Sequence, residues 1–191
     1  MTTTLPFYKQ CEEILNHRSS TKVKMKQTFA LLEQVLAYAK EHDLHSFSNE
    51  AFENGTEFVK TLNEIYADFH YSYPNLAILD DHVNLLANIK QQFKEEESCC
   101  FFPFTAALQG YAMNHDQERV HALKTFLLSS EPQQPLAIYH AIFSGLKIKP
   151  NQDLLVKYYQ EVLAYEPSSS QEIKHLESIH EIYEALIWKK R

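Results

Sequence analysis

Glu177 and His180 have a spacing that is suited to metal chemistry. A separation of three residues places both side chains on one face of a helix. Carboxylate di-iron bundles use such a Glu-x-x-His pair to direct two ligands inward, together with a second pair and two further carboxylates. Glu33, Glu57 and Glu64 are acidic candidates, but nothing in their spacing selects them. A helical-bundle metalloenzyme of the di-iron type therefore stays open, beside the simpler interpretation that His180 fills part of a helix interface.

The run from Glu41 to His45 collects two histidines and two acidic residues within five positions. The hydrophobic pattern places this run at the C-terminus of a helix. A protonated histidine stabilises the helix dipole there, and polar residues are usual at such ends. Metal or proton chemistry and an ordinary polar helix end are both compatible with the run.

Cys100 is a candidate nucleophile, because a thiolate beside a histidine is the arrangement that cysteine-dependent catalysis uses. His115 and His121 are possible partners. The neighbouring Phe101 and Phe102 predict burial, which raises the pKa of a thiol and lowers its reactivity. We therefore assign no catalytic residue, expect no cofactor, and treat the chain as a non-enzyme.

The composition excludes several functional classes. The formal net charge is −7 over 191 residues, whereas a nucleic-acid-binding surface needs a cationic field. The three glycines, Gly55, Gly110 and Gly145, lie far apart, so the chain has neither a Walker loop nor a dinucleotide-binding fingerprint. Apolar residues make up 45% of the chain, which is enough for one core or for two closely packed halves.

The cysteines and the hydropathy pattern indicate an intracellular setting. Cys11, Cys99 and Cys100 do not form a disulfide framework, because their number is odd and adjacent cysteines bridge only with strain. No apolar run approaches the roughly 18 residues that a spanning helix requires, and the N-terminus lacks the layout of a signal peptide. We expect reduced thiols, no membrane span and a cytoplasmic location, in the producing cell or in a cell to which the protein is delivered.

Apolar residues recur every three or four positions and glycine is scarce, so the sequence predicts an all-α protein of eight or nine helices. We expect a four-helix bundle over residues 1–97. It packs on a second half, 98–191, that contains two helix hairpins and a C-terminal capping helix. In the second half the predicted helices are 100–113, 117–129, 134–146, 151–165 and 171–189. Predicted caps are Ser46 or Ser48 at an N-terminus and Gly145 at a C-terminus.

Residues 104–167 contain one pattern twice, with a period of 35 residues. The identical pairs at this offset are Ala106 with Ala141, Gly110 with Gly145, Gln117 with Gln152, Leu128 with Leu163, and Glu131-Pro132 with Glu166-Pro167. Apolar positions also coincide between the two copies. A fixed period between 20 and 50 residues is typical of stacked supersecondary units.

The two copies resemble the tetratricopeptide repeat, whose signature runs from an aromatic residue through leucine, glycine, tyrosine, alanine and phenylalanine to proline. The first copy carries Phe104, Ala107, Leu108, Tyr111, Val120, Lys124, Leu127 and Pro132, and the second carries Tyr139, Ile142, Phe143, Leu146, Leu155, Tyr159, Val162 and Pro167. Three departures matter, and the first is the period of 35 residues instead of 34. Large residues such as Leu108 and Phe143 occupy small-residue positions, which would move the paired helices apart, and Lys124 occupies an apolar position. The pentatricopeptide family shares the period but binds RNA, and the acidic charge argues against it.

The resemblance implies a binding protein. Stacked hairpins leave a concave surface lined by the first helix of each pair. With Phe104, Leu108, Tyr111, Tyr139, Phe143 and Leu146 in the core, the opposite side presents Gln109, Met113, His140, Ser144 and Lys147. We expect these five residues to hold a protein or peptide, although an ordinary solvated surface is compatible with the same pattern. A bacterial accessory, chaperone-like or secreted effector role suits such an adaptor; the sequence does not indicate an oligomeric state.

Overall fold

The computed structural model describes residues 6–41, 55–67, 76–92, 101–130 and 132–188. These residues form nine α-helices and contain no strand, so the prediction of an all-α protein is confirmed. The helices are α1 Phe7–Asn16, α2 Thr21–Glu41, α3 Gly55–Ala67, α4 Leu76–Gln92, α5 Phe101–Met113, α6 Gln117–Ser130, α7 Pro135–Ile148, α8 Gln152–Val162 and α9 Ser170–Trp188. None of the helices in this part of the chain is long and apolar enough to cross a bilayer.

Short polar side chains fix the starts of three helices in the second half. The Asp116 carboxylate accepts a hydrogen bond from the backbone N–H of Arg119 (3.0 Å), and Asn151 accepts one from Leu154 (3.1 Å). The Ser169 hydroxyl accepts one from the backbone N–H of Glu172 (3.2 Å). Each bond satisfies a donor that the first helical turn leaves free. The caps predicted at Ser46 and Ser48 lie outside the described residues.

The chain divides into two compact units. The first comprises Met1–Tyr71 and Asp80–Pro103, and the second comprises Ser72–Leu79 and Phe104–Arg191. The predicted boundary after residue 97 lies outside the described residues, and the predicted packing of a bundle on a hairpin array stays a prediction.

In the first unit, α1 packs against α2 and α3. Apolar side chains that recur at helical spacing form its core: Phe7, Cys11, Ile14, Leu31, Leu32, Val35, Phe58, Val59, Leu62, Ile65, Leu85 and Leu86. The Lys24 ammonium donates to the backbone carbonyl of Leu15 (2.9 Å). A cation at this position satisfies a free carbonyl and complements the negative end of the α1 dipole.

In the second unit, α7 is the central helix. Nine of its fourteen residues are buried, and it contacts α6, α8 and α9. A helix that is buried on most of its circumference belongs to the interior of a fold. The six predicted core residues, Phe104, Leu108, Tyr111, Tyr139, Phe143 and Leu146, are all buried, which confirms that prediction.

Gly145 does not end α7, so the prediction that it is a C-cap is wrong. The helix continues to Ile148, and its C-cap is Lys149. Gly145 is instead the point where α7 approaches the backbone of α5. A Cβ atom at Gly145 would overlap the carbonyl oxygen of Gln109 and would lie 2.9 Å from both Ala112 Cβ and Met113 N. Only glycine permits this approach.

Three helix boundaries recur with the 35-residue spacing of the sequence pattern, whereas α7 begins 34 residues after α5. Helix α7 ends 35 residues after α5, α8 begins 35 residues after α6, and α9 begins 35 residues after α7. The capping residues Asp116 and Asn151 are separated by the same number of residues. Helix α8 departs from this spacing, because it ends at Val162, three residues before the position equivalent to the end of α6.

Helices α6 and α8 run in the same direction. Gln117, at the start of α6, accepts from Lys157 (3.3 Å), and Lys124, about two turns later on α6, pairs with Glu161 (2.6 Å), about one turn later on α8. From the first contact to the second, the residue number increases on α6 and on α8, as it does between parallel helices. These two side-chain contacts link α6 and α8 in the same order along both helices, and the packing of the two predicted hairpins stays a prediction.

We predict that Gly145→Ala destabilises the protein. In an exposed helix interior, alanine is more stable than glycine by about 1 kcal/mol. At position 145, however, its methyl group would meet backbone atoms of α5, which cannot move aside by changing a side-chain rotamer. Overpacking of this kind costs about 1–3 kcal/mol. Urea unfolding at pH 7 measures the change, with the exposed Ser129→Ala as a control that shifts stability by less than about 0.5 kcal/mol. A rise in stability for Gly145→Ala would contradict the close approach.

Candidate functional site

The five predicted binding residues do not share one environment. Lys147 is exposed near the end of α7, and Gln109 is half-buried on α5. Met113 is only 6% exposed, because its backbone lies against Gly145 at the contact between α5 and α7. The expectation that Met113 faces a ligand is therefore corrected: it belongs to the core.

His140 and Ser144 lie on the side of α7 that faces α9. The His140 Nε2 atom forms a hydrogen bond with the Ser178 hydroxyl (3.0 Å), and the imidazole rings of His140 and His175 lie 5.1 Å apart, centre to centre. The Ser144 hydroxyl donates to the carbonyl of His140 (2.8 Å). We call this polar side of α7, which carries His140, Ser144 and Lys147, the α7–α9 face. The last helix, α9, partly covers it.

The electrostatics of the α7–α9 face favour neutral histidines. Burial, together with the neighbouring charges of His175 and Lys147, lowers the pKa of His140 to about 4. Burial also lowers the pKa of His175. Near neutral pH the face therefore carries one cation, Lys147, together with neutral hydrogen-bonding groups.

Glu172 on α9 caps the start of α7. Its carboxylate accepts from the backbone N–H of Leu136 (3.4 Å), whereas the Gln134 side chain, at the N-cap position, makes no capping bond within the described residues. Glu172 is 4% exposed, and burial raises its pKa although the backbone donors of Leu136 and Ala137 oppose the shift. A buried acid at a helix N-terminus is stabilised by the free N–H groups and by the helix dipole.

A partly buried ionic cluster joins α6, α7 and α8. The Lys124 ammonium pairs with the Glu161 carboxylate (2.6 Å), and the Tyr139 hydroxyl donates to the same Glu161 oxygen (2.8 Å). The Lys124 ammonium also lies over the rings of Tyr139 (5.7 Å) and Tyr158 (5.5 Å), an arrangement that stabilises a cation. This pairing explains why lysine occupies a position at which the repeat pattern expects an apolar residue.

The pKa shifts within this cluster follow from its contacts. Burial alone would raise the pKa of Glu161, but hydrogen bonds from Lys124 and Tyr139 lower it overall, so the carboxylate is held ionised. Burial, followed by the bond to Glu161, raises the pKa of Tyr139. Burial and the nearby Glu161 charge raise the pKa of Tyr158 to about 12. The cluster therefore holds a fixed ion pair and two neutral phenols, which is a structural arrangement and offers no group poised to exchange protons near pH 7.

Glu177 and His180 do not converge on a common point. Glu177 is exposed, whereas His180 Nδ1 forms a hydrogen bond with the Tyr159 hydroxyl of α8 (2.7 Å). The same spacing also occurs at Glu118–His121 and at Glu172–His175, two pairs that sequence reasoning missed. Across the described residues, no three His, Cys, Asp or Glu side chains gather in a way that could hold a metal ion.

The other chemical candidates are placed as follows. His115 adopts a left-handed backbone conformation, φ 57°, in the turn after α5, and its Nε2–H donates to the carbonyl of Lys149 (2.7 Å). Cys11 is a buried free thiol whose pKa burial raises to about 12. The proposed nucleophile Cys100, its neighbour Cys99 and residues 42–45 lie outside the described residues.

Comparisons with protein-family models, with curated proteins and with solved structures found no match to this chain. Its function must therefore be argued from the geometry of its own residues.

The buried histidines predict acid sensitivity. An unfolded histidine has a pKa near 6.5, while folded His140 has a pKa of about 4, so the unfolded chain binds a proton first as pH falls. The contribution of neutral His140 to the free energy of unfolding is therefore fully present above about pH 6.5 and is lost as the pH falls toward 4. This loss is about 2 kcal/mol after allowance for the partial exposure of His140. In the first unit, burial lowers the pKa of His82 to about 4 although the charge of Asp81 opposes the shift. Protonation of His82 therefore also lowers stability as the pH falls.

Urea unfolding between pH 7 and pH 4 tests this expectation. His140→Gln keeps a hydrogen-bonding group opposite Ser178 and should flatten the decline, whereas the control His121→Gln, at an exposed position of α6, should leave it unchanged. An equal decline in wild type and His140→Gln would show that His140 is not the responsible group.

Proposed function

We propose that this chain is a non-enzymatic binding or adaptor module that holds another protein or a peptide. The observation that carries the proposal is the recurrence of helix ends and capping residues at a 35-residue spacing. Helix hairpins repeated in sequence expose a continuous surface rather than an enclosed active site, and such surfaces commonly bind proteins.

The tetratricopeptide resemblance is part of the same proposal. Its support is the period, the closing prolines Pro132 and Pro167, and the parallel pair α6 and α8. A bacterial accessory, chaperone-like or effector role in the cytoplasm, or in the cytosol of another cell, is compatible with it. The acidic net charge of −7 favours a protein partner over nucleic acid.

The proposed contact surface is the α7–α9 face with the neighbouring part of α5. Gln109, His140, Ser144 and Lys147 are the predicted contact residues that remain at least partly exposed. Neutral hydrogen-bonding groups around a single cation suit the backbone carbonyls and acidic side chains of a bound segment.

Affinity capture from the source cells, followed by mass spectrometry, tests the proposal. A double variant, Lys147→Glu with His140→Gln, reverses the one cation of the face and keeps a hydrogen-bonding group at position 140. We expect recovery of the captured protein to fall at least about tenfold, the effect of losing a contact worth about 1.4 kcal/mol, with helicity unchanged by circular dichroism.

The matched control is Lys22→Glu with His121→Gln, which makes the same changes at exposed positions of α2 and α6. Equal recovery of the partner with the Lys147 and His140 double variant and with wild type would refute the proposed face. Capture of no protein at stoichiometric yield would refute the adaptor function itself.

A further inference from the structure

Three large apolar side chains are exposed on α8, on the turn that follows it, and on α9. Val156 is 37% exposed, Leu163 is 63% exposed and Ile173 is 46% exposed. Single exposed apolar residues are common on protein surfaces, but adjacent ones mark a binding surface.

One inter-helix contact brings them to the same groove. The Tyr159 hydroxyl of α8 is bonded to His180 of α9 (2.7 Å), and the Tyr159 ring stacks on Tyr183 (3.8 Å between centres, 3° between planes). Val156 and Leu163 lie three residues before and four residues after Tyr159, so they share its side of α8. Ile173 lies two helical turns before His180 and shares its side of α9. We call this surface the α8–α9 groove; it consists of Val156, Tyr159, Leu163, Ile173 and His180.

The rim of the groove on α9 is acidic. Glu177 and Glu184 lie three residues before and four residues after His180, and therefore flank it on the same side of the helix. Glu181 continues the row toward solvent, and all three glutamates are exposed. An apolar strip with a negative rim is complementary to a helix that has an apolar face and a basic edge.

The repeated hairpins indicate what shape of ligand fits. Helix α8 lies beside α6, with which it shares the Lys124–Glu161 pair, and it also contacts α7. A helix placed one repeat beyond α8 would lie beside α8 and α9 in the same way as α8 lies beside α6 and α7. That position is the α8–α9 groove. Leu128 of α6 is equivalent to Leu163 and is half-buried, whereas Leu163 is 63% exposed. The groove thus has the apolar character of a surface on which a further helix packs.

We propose that the α8–α9 groove binds a basic amphipathic helix of another protein, in the position one repeat beyond α8. The proposal rests on the repeated hairpins that also support the adaptor function, but it concerns a different surface. A second copy of this chain is a poorer fit, because each copy carries a net charge of −7 and the same acidic rim, so the two copies repel one another.

A displayed library of helical peptides tests the proposal on the full chain. Each peptide is about 15 residues long, or about four turns, with leucine fixed at a helical spacing and the other positions varied among Lys, Arg, Gln, Asp and Glu. We expect selection to enrich Lys- and Arg-rich members. Their affinity should fall at least about tenfold on Leu163→Glu or Ile173→Glu, as for other apolar anchors of an interface, and should weaken as salt is raised.

The matched control is Ile148→Glu, a substitution of another exposed isoleucine (47%) that lies at the end of α7 and outside the groove; it should leave affinity unchanged. Enrichment of acidic members or of no members, or equal loss of affinity with Ile148→Glu, would overturn the proposal. Wild-type dimerisation that Leu163→Glu abolishes, seen by sedimentation, would assign the groove to a second copy instead. Because Lys147 and His140 lie outside the groove, their double variant should still bind the peptides, which separates this test from that of the adaptor function.

Discussion

The close approach of α7 to α5 at Gly145 is the constraint on which the second unit depends. Because a Cβ atom there would overlap the Gln109 carbonyl and lie 2.9 Å from the Met113 nitrogen, the two helices are held at backbone distance. That distance buries the flanking residues, including Met113 at 6% exposure. It also leaves α7 surrounded, with α6 and α8 on other sides and α9 across its polar side.

The remaining polar contacts of α7 follow from its central position. Its first turn would leave N–H groups unsatisfied in the interior, and Glu172 of α9 accepts one of them. The Tyr139 hydroxyl donates to Glu161, while just beyond the helix His115 donates to the Lys149 carbonyl. Buried polar groups are costly unless they are bonded, so the contacts from α8 and α9 favour one arrangement around α7, and the exposed His115 bond adds a third contact at its C-terminal end. The ion pair of Lys124 with Glu161 is not a large source of net stability, because the cost of removing both charges from water offsets much of their attraction.

Much of the fold could be predicted from the sequence, because amphipathic period and capping chemistry are local. The starts of α6 and α8 and the six core residues are fixed by such signals, as at Asp116 and Asn151. The environment of the predicted binding residues could not be predicted in the same way. Helix α7 is apolar on most of its circumference, so its period does not distinguish the side that meets α5 from the side that meets α9. The sequence predicted a C-cap at Gly145, because the close contact with α5 depends on a neighbouring helix that no local pattern shows.

The candidate site was predicted less well for the same physical reason. The burial of Lys124 depends on Glu161, 37 residues away, and no local pattern encodes that pairing. The one available signal was a lysine in an apolar position of the repeat. Likewise, Glu177 and His180 share a helix face in the pattern, but a tyrosine from α8 engages the histidine and leaves the glutamate in solvent. Long-range contacts, rather than spacing along one helix, decide which polar groups are free for a ligand.

The central claim, that equivalent helices of the two hairpins lie side by side in the same orientation, is tested most directly by spin-label distances. With the native cysteines replaced, one label at Ser129 of α6 is paired either with Asp153, in the first turn of α8, or with Ala164, two residues beyond its end; all three positions are exposed. The parallel arrangement predicts that the 129–164 distance is shorter than the 129–153 distance by about 10 Å, given a rise of about 1.5 Å per residue along α8. A shorter 129–153 distance would contradict the repeated arrangement and the account built on it.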